Sequence, residues 1–400
     1  MSTLLLTLSN LALLRKVLHF NKMLLFTDSI FNHPSQTDVI YLDISKAFDI
    51  VSHSILLNKL WHFGITGTLW AWFKNYLSNC YQRVSINNNL SNTLPVVSGV
   101  PQGSILGPVL FLIYMNDAIS SIQHSQLLMY ADDTKCFKHI SSDTDQIHLQ
   151  EDINALFNWS KLSQLNYNIS KCTHISFKSK FTSAYNLSDT AVFATDSQKD
   201  LGIIVSNNLS WVNHYNHIIP RAYKILGLIR RLFSPSLSLS VKLKLYLTLV
   251  RSQLMYCTPI WRPYLLKDIQ NIERIQRRAT KFILNDYNSN YKTRLLTLKL
   301  LPLMYLFEFQ DITFTVKFLK FPTKGFNILH HISFSSVHTR SSSSHKLKHL
   351  SHTNNSNRHS FFHRLPPLWN AVPIIDLHLP MSIIKIKLKE YFLELFYNKF

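Results

Sequence analysis

An aspartate closing one β-rich run, and two more in the turn of a later hairpin, restrict this chain more than any other feature. DVIYLD (38–43) reads as a strand that feeds, after a turn, a helical period through Ile55, Leu56, Leu60 and Trp61. LLMYADDTKCFK (127–138) reads as two strands with a tight turn at its centre. In mid-strand Asp132 and Asp133 would point to opposite faces of a sheet, whereas a turn lets both approach one site. With the first strand beside the hairpin, Asp43 joins them. Like charges brought together are costly without a cation. Three aspartates on two adjacent strands suffice to hold Mg²⁺, a hard cation bound through a few carboxylate oxygens. Transfer of a nucleotide to a primer hydroxyl needs two such cations, one activating the hydroxyl and one holding the leaving pyrophosphate.

The rest of the chain supplies a setting. A helical stretch, TLWAWFKNYL (68–77), and a strand-like QRVSIN (82–87) lead to SGVPQGSILGP (98–108), which holds three of the eight glycines and opens an apolar helix to about Asp117. A helix over 145–163 and a strand over 173–178 follow the hairpin. Helices crossing between strands predict an α+β sheet domain over 37–206. Beyond Trp211 the pattern changes to long, basic, leucine-rich helices at 213–233, 239–256 and 267–284, an all-α domain over 207–320. In the last of these Ile269, Ile272, Ile275, Ala279 and Phe282 form an apolar stripe, with Arg274, Arg277, Arg278 and Lys281 off it. Those cations fit a solvated face and a phosphate-facing surface equally. Residues 321–400 hold a Ser/Asn/His-rich segment, with Ser341–Ser344 in it, read as flexible or loosely packed; FFHRLPPLWNAVP and a helix from about Ile383 close the chain.

At 46% hydrophobic residues the 400-residue chain can bury a substantial core. Lysine plus arginine outnumber aspartate plus glutamate 42 to 22, spread along the whole length, which favours a polyanionic partner such as nucleic acid over a merely basic soluble protein. The four cysteines form no CxxC pair, so a reducing compartment is expected, the cytoplasm or the nucleus. MSTLLLTLSNLALL lacks a basic leader and a cleavage site and reads as an amphipathic helix. No apolar run is long enough to span a bilayer. The histidines between His330 and His363 show no ligand spacing and are expected to be surface residues.

The order of the motifs carries a resemblance. YLDISKAFD (41–49), SGVPQGSILGP, YADD (130–133), NISK (168–171) and LGI (201–203) resemble the successive palm motifs of reverse transcriptases, in the spelling of jockey-like and CR1-like non-LTR retrotransposons. The resemblance continues through LYLTLVRSQLMYCTPIW, NIERIQRRATKFIL and RLPPLWNAVP, from Thr37 to Pro373. It implies a palm followed by a basic thumb-like domain, and an RNA-directed DNA polymerase using an RNA template, a DNA primer, deoxynucleoside triphosphates and Mg²⁺, with Mn²⁺ as substitute. Asp43, the Ile44 carbonyl and Asp132 would hold the metals, with Asp133 completing the carboxylate set. Phe48 would be the steric gate against a 2′-hydroxyl. Gln102 and Gly103 would lie against the incoming nucleotide and template base, Pro101 and Gly107 would shape the turn, Lys171 would protonate the leaving pyrophosphate, and Gly202 would form the primer-grip turn.

The first 36 residues depart from the family pattern, because neither an upstream endonuclease nor the fingers motifs that grip the triphosphate are recognisable there. Residues 1–36 read as a truncated fingers remnant, so autonomous transposition is not expected and nucleotide incorporation is expected to be weak. The alternative is a nucleic-acid-binding remnant that keeps palm and thumb without turnover.

Overall fold

The computed structural model describes residues 11–233, 237–322, 326–335, 345–350 and 357–399, the side chains of 11–20, 357 and 399 excepted. The first ten residues of the predicted N-terminal helix and Ser341–Ser344 lie outside them. The chain has mixed α and β content in two compact units, one formed by the described residues up to Lys22 with His33–Leu201, the other by Met23–Asn32 and Gly202 onward. The division falls inside LGI rather than at residue 206, and the helix Leu11–Asn32 is shared between the units.

The first unit is built on a five-stranded sheet. Strand β1 (Gln36–Leu42) lies in its middle and is buried at every position. It pairs antiparallel with β7 (Asp133–Ile140), from Gln36 opposite Ile140 to Leu42 opposite Thr134, and with β8 (Thr173–Phe177) on its other side. Strand β6 (Gln126–Tyr130) adds to β7 as a hairpin, and β11 (Phe193–Ala194) pairs parallel with β8. Alternation sends Ile40, Leu42, Cys136 and Cys172 into one core, with Leu56 and Leu60 of the helix His53–His62, Leu110 and Phe111 of Gly107–Met115, and Leu149, Ile153 and Leu156 of Asp143–Leu162. The last of these helices starts at a capping box between Ser142 and Asp145. The expected strand over 82–87 is broken into shorter pieces. Strand β2 (Tyr81–Gln82) pairs with β5 (Leu94–Pro95), and β3 (Ser85–Ile86) with β4 (Asn89–Leu90), all exposed and so without a core to lengthen them. A two-residue pair, β9 (Asn186–Leu187) with β10 (Thr190–Ala191), and β12 (Ser197–Asp200) complete the unit.

The second unit opens with β13 (Ile203–Ser206) and is otherwise helical: Val212–Leu232, Leu266–Leu284, Tyr291–Leu298, Leu303–Lys320, Phe361–Ala371 and Met381–Lys399. The helix expected over 239–256 is α-helical over Leu239–Leu245, then π-helical over Tyr246–Arg251. Tyr246, Val250 and Leu254 are all buried and stand four residues apart. That spacing drifts around a helix of 3.6 residues per turn, and the wider turn returns all three to one side. Asp311, fully buried, binds Arg262 at 2.9 Å and Arg364 at 3.0 Å, so it ties the end of TPIWR to RLPPLWN. Of the three stretches that extended the family resemblance, this joins RLPPLWNAVP to the residue next after LYLTLVRSQLMYCTPIW. Among the described residues no helix is long and apolar enough to cross a membrane.

Candidate active site

The register of β1 and β7 decides where the carboxylates fall. The pairing ends at Leu42 opposite Thr134, so Asp43 follows the last paired residue of β1 and Asp133 precedes its partner, at the start of β7 and beside the two-residue turn Ala131–Asp132. Ala131 takes a left-handed conformation, φ 53°, as a two-residue hairpin turn demands of a residue that would ordinarily be Gly or Asn. The electrostatics record the convergence. Desolvation, then the charges of Asp132, Asp200 and Asp43, push the Asp133 carboxyl above the usual carboxylate range, with Lys135 acting the other way. Asp43 and Asp133 line one cleft together with Asp200, while Asp132, in the turn next to Asp133, is not among the residues that line it.

Asp43 is held from its backbone. Its carbonyl accepts from Asn168 N at 2.8 Å, Ser45 N donates to Asn166 O at 2.8 Å, and Ile44 bridges to Tyr167. Since Asp43 O and Ser45 N point to that side, alternation turns the Ile44 carbonyl toward the side where β7 lies. Lys171, two-thirds exposed, reaches Asp43 Oδ2 at 3.6 Å. The cleft in front of these groups is lined by Lys22, Asp43, Asp133, Lys135, Lys171 and Asp200.

Its floor is a network that the sequence reading missed. Lys135 forms an ion pair with Asp200, the two side chains only 6% and 5% exposed, and Tyr41 donates to the same Asp200 oxygen at 3.2 Å. Burial lowers the Lys135 pKa against the pull of Asp200, and burial with Asp200 raises that of Tyr41. Lys135 stands two residues after Asp133, so it shares that face of the strand, and Tyr41 is its cross-strand neighbour. That alternation was a usable signal for Lys135; nothing in the spacing pointed to Asp200.

The glycine-rich loop is seated on the turn that follows Asp43. Gly99 N donates to Val51 O at 2.8 Å and Val100 N to Phe48 O at 2.9 Å. A Cβ on Gly99 would lie 2.8 Å from Asp49 O, and one on Gly107 2.7 Å from Pro101 O, so both positions require the bare backbone. Gln102 Nε2 donates to Asp49 Oδ1 at 2.8 Å, while Pro101 and Gly103 are exposed. Phe48 is half-buried and stacks on Phe111, ring centroids 4.4 Å apart. The sequence reading overlooked Gly99, although it combines a left-handed φ of 91° with a close approach to the Asp49 backbone.

The remaining predicted positions belong to the second unit. Gly202 has a left-handed φ of 87°, and a Cβ placed there would stand 3.4 Å from the Tyr256 ring, an ordinary contact, so it is the backbone conformation that calls for glycine. On Leu266–Leu284 the buried residues include Ile272, Ile275, Ala279 and Ile283, so Ile269 and Phe282 sit at the margin of the expected stripe. Arg274, Arg277 and Arg278 flank that stripe with Lys281, which is half-buried. Arg277 lies over the Tyr291 ring at 4.4 Å and Arg278 over the Tyr223 ring at 4.9 Å, which orders both guanidinium groups.

A cluster of carboxylates at the turn of a β-hairpin, beside the end of the central strand, has the oxygen-donor chemistry that a divalent cation takes. The reverse transcriptase (RNA-dependent DNA polymerase) family model matches residues 6–228, more than half of the chain, and the chain belongs to that family. Its similarity is to LINE-type members. It is 26% identical over 257 residues to the RNA-directed DNA polymerase from mobile element jockey of Drosophila melanogaster, covering 61% of this chain and 28% of that protein. It is 27% identical over 261 residues to the probable RNA-directed DNA polymerase from transposon X-element of the same species, again covering 61% and 28%. The chain thus spans little more than a quarter of the curated relatives it matches. A solved telomerase from Candida tropicalis, in complex with a fragment of telomeric RNA, is 12% identical, with a TM-score of 0.40 over 76% of this chain and 50% of that one.

Proposed function

We propose that the chain is an RNA-directed DNA polymerase that extends a DNA primer on an RNA template with deoxynucleoside triphosphates, the first unit acting as the palm and the helical unit as a thumb. One observation carries the reading: Asp43 and Asp133, from segments far apart in the sequence, line one cleft beside the hairpin turn that holds Asp132. Oxygen donors in excess of nearby cations suit a hard divalent ion, Mg²⁺ or Mn²⁺, held by Asp43, the Ile44 carbonyl and Asp132, with Asp133 completing the set. Such ions, when bound, lower the pKa of the primer hydroxyl and offset the charge of the departing pyrophosphate.

The protein's own groups do the rest. Phe48, braced by Phe111, is the surface we assign to the incoming sugar, where it excludes a 2′-hydroxyl. Gln102 and Gly103, with Pro101 and Gly107 setting the loop, are assigned to the nucleotide and template base. Lys171, tethered only by a long ion pair to Asp43, is assigned to the leaving phosphates, to which it gives a proton. Gly202 is assigned to the primer end, and Arg274, Arg277, Arg278 and Lys281 to the phosphates of the duplex. The four free cysteines suit an intracellular, reducing location.

The test is primer extension on an RNA template with folded protein already shown to bind primer–template. Wild type is expected to extend only with Mg²⁺ or Mn²⁺, Asp132→Ala to extend nothing, and Phe48→Ala to admit ribonucleotides. Binding without extension under either metal would establish the non-catalytic remnant instead. Extension surviving in Asp132→Ala would place the catalytic site elsewhere.

A further inference from the structure

At the end of β6 remote from the carboxylates, three donor side chains face one another. His124 precedes the strand, and His148 and Glu151 stand three residues apart on the helix Asp143–Leu162, which puts the latter two on one helix face. One donor atom from each lies within 4.8 Å of the other two. His124 Nε2 is 3.7 Å from Glu151 Oε2, and the imidazoles of His124 and His148 are stacked with centroids 4.2 Å apart and planes 15° from parallel. We propose that this trio is a surface site for a divalent transition metal, zinc by its ligand set, separate from the catalytic cations.

Two imidazoles and a carboxylate are donors that zinc favours, and they leave a fourth position for water. Mg²⁺ does not compete well there, since it selects all-oxygen sites. Bonds of about 2.0–2.1 Å in a tetrahedral shell require donors about 3.4 Å apart. Binding requires the stacked imidazoles to turn out of parallel so that a ring lone pair of each points at one ion, a side-chain rotation open to the exposed His124 and Glu151 and the half-buried His148.

The backbone behind the trio is already fixed. Asp152, adjacent to Glu151 and 2% exposed, accepts from Gln123 N at 2.8 Å and from His124 N at 2.9 Å. The segment carrying His124 is thereby bound to the helix carrying the other two ligands, so little chain entropy opposes metal binding. Lys138, the cation that touches this segment, donates to His124 O at 3.2 Å and pairs with Asp145 at 3.5 Å, which offsets its charge. Six residues separate His124 from Tyr130 at the catalytic turn, about 20 Å of extended strand. Neither site can borrow the other's ligands.

The experiment is a zinc titration of the full chain by calorimetry with Mg²⁺ in excess, so that the carboxylate cluster is already occupied. His148→Ala and Glu151→Gln are run beside the wild type, after circular dichroism has shown that each remains folded. One zinc ion per chain is expected to be lost from the stoichiometry in His148→Ala. In Glu151→Gln the affinity should fall by about tenfold or more, since loss of an outer partner of a ligand alone costs about 10–100-fold. Cobalt supplies a second readout: the strong visible absorption of a four-coordinate ion is expected in the wild type and absent in His148→Ala. Equal zinc uptake and affinity in wild type and both variants, whether none or through other histidines, would overturn the site.

Discussion

Lys135→Met removes the cation from the floor of the cleft and leaves Asp200, 6% exposed, as a buried charge. Breaking one side of a buried pair costs about 3–5 kcal/mol, whereas replacing both partners with apolar groups is often close to neutral. In urea, with a dependence of about 3 kcal/mol per M, the single variant should shift the unfolding midpoint of the first unit down by roughly 1–2 M. Lys135→Met/Asp200→Leu should recover most of that loss. The same pair also acts on the hairpin turn at Asp133, since Lys135 holds the Asp133 carboxyl down and Asp200 pushes it up. The acidic limb of the primer-extension pH profile should therefore move to higher pH in Lys135→Met and to lower pH in Asp200→Asn. A loss under about 1 kcal/mol in the single variant, or additive losses in the double, would refute the buried-pair reasoning. Shifts of the acidic limb in the same direction in both variants would refute the electrostatic link.

Asp133 also sets a stability trend: with its folded pKa raised, the native state binds protons more tightly than the unfolded chain, so metal-free protein should lose stability as pH rises from the ordinary carboxylate range through the raised value. Thermal melts across that range should show the loss, and added Mg²⁺ should remove it. Asp311→Ala leaves Arg364 without its carboxylate partner and Arg262 with Glu308 alone, and should destabilise the helical unit by about 3 kcal/mol in a denaturant titration. Gly99→Ala forces a Cβ against the Asp49 backbone at a left-handed position and should cost about 2 kcal/mol or more, together with extension activity, as read by melting and primer extension. Charge reversal at Arg274, Arg277 and Arg278 should weaken binding to all nucleic-acid sequences alike, and the slope of log affinity against log salt should flatten by about 0.9 for each phosphate no longer neutralised, measured by titration over a salt series.

The strand ending at Asp43, the hairpin at Asp132 and the helix after it were legible because each depends on local periodicity and on a turn that few residues tolerate. The convergence of the aspartates was legible only as a condition, since it rests on the β1–β7 register, a pairing between strands far apart in the sequence. Asp200 and Asp311 were invisible for the same reason. Their partners come from other elements, and an aspartate in a polar stretch has the same local appearance whether it is solvated or buried. The π-helical turn at Tyr246–Arg251 is an intermediate case, because a four-residue spacing of apolar side chains was on view but fits the ordinary helical pattern too. The trio at His124, His148 and Glu151 escaped because a histidine in a loop and one on a helix show no common spacing.

Strand β1 sits in the middle of its sheet, yet both of its neighbours come later in the chain, β7 about ninety residues on and β8 later still. On the ribosome, at about 5–20 residues per second, β7 follows β1 by roughly 5–20 s. Throughout that interval the segment QTDVIYL, fully buried in the finished sheet, has no strand to lie against. Synthesis order thus leaves the strand that leads into Asp43 open to chaperones, and to other nascent chains, before the carboxylate cluster can assemble.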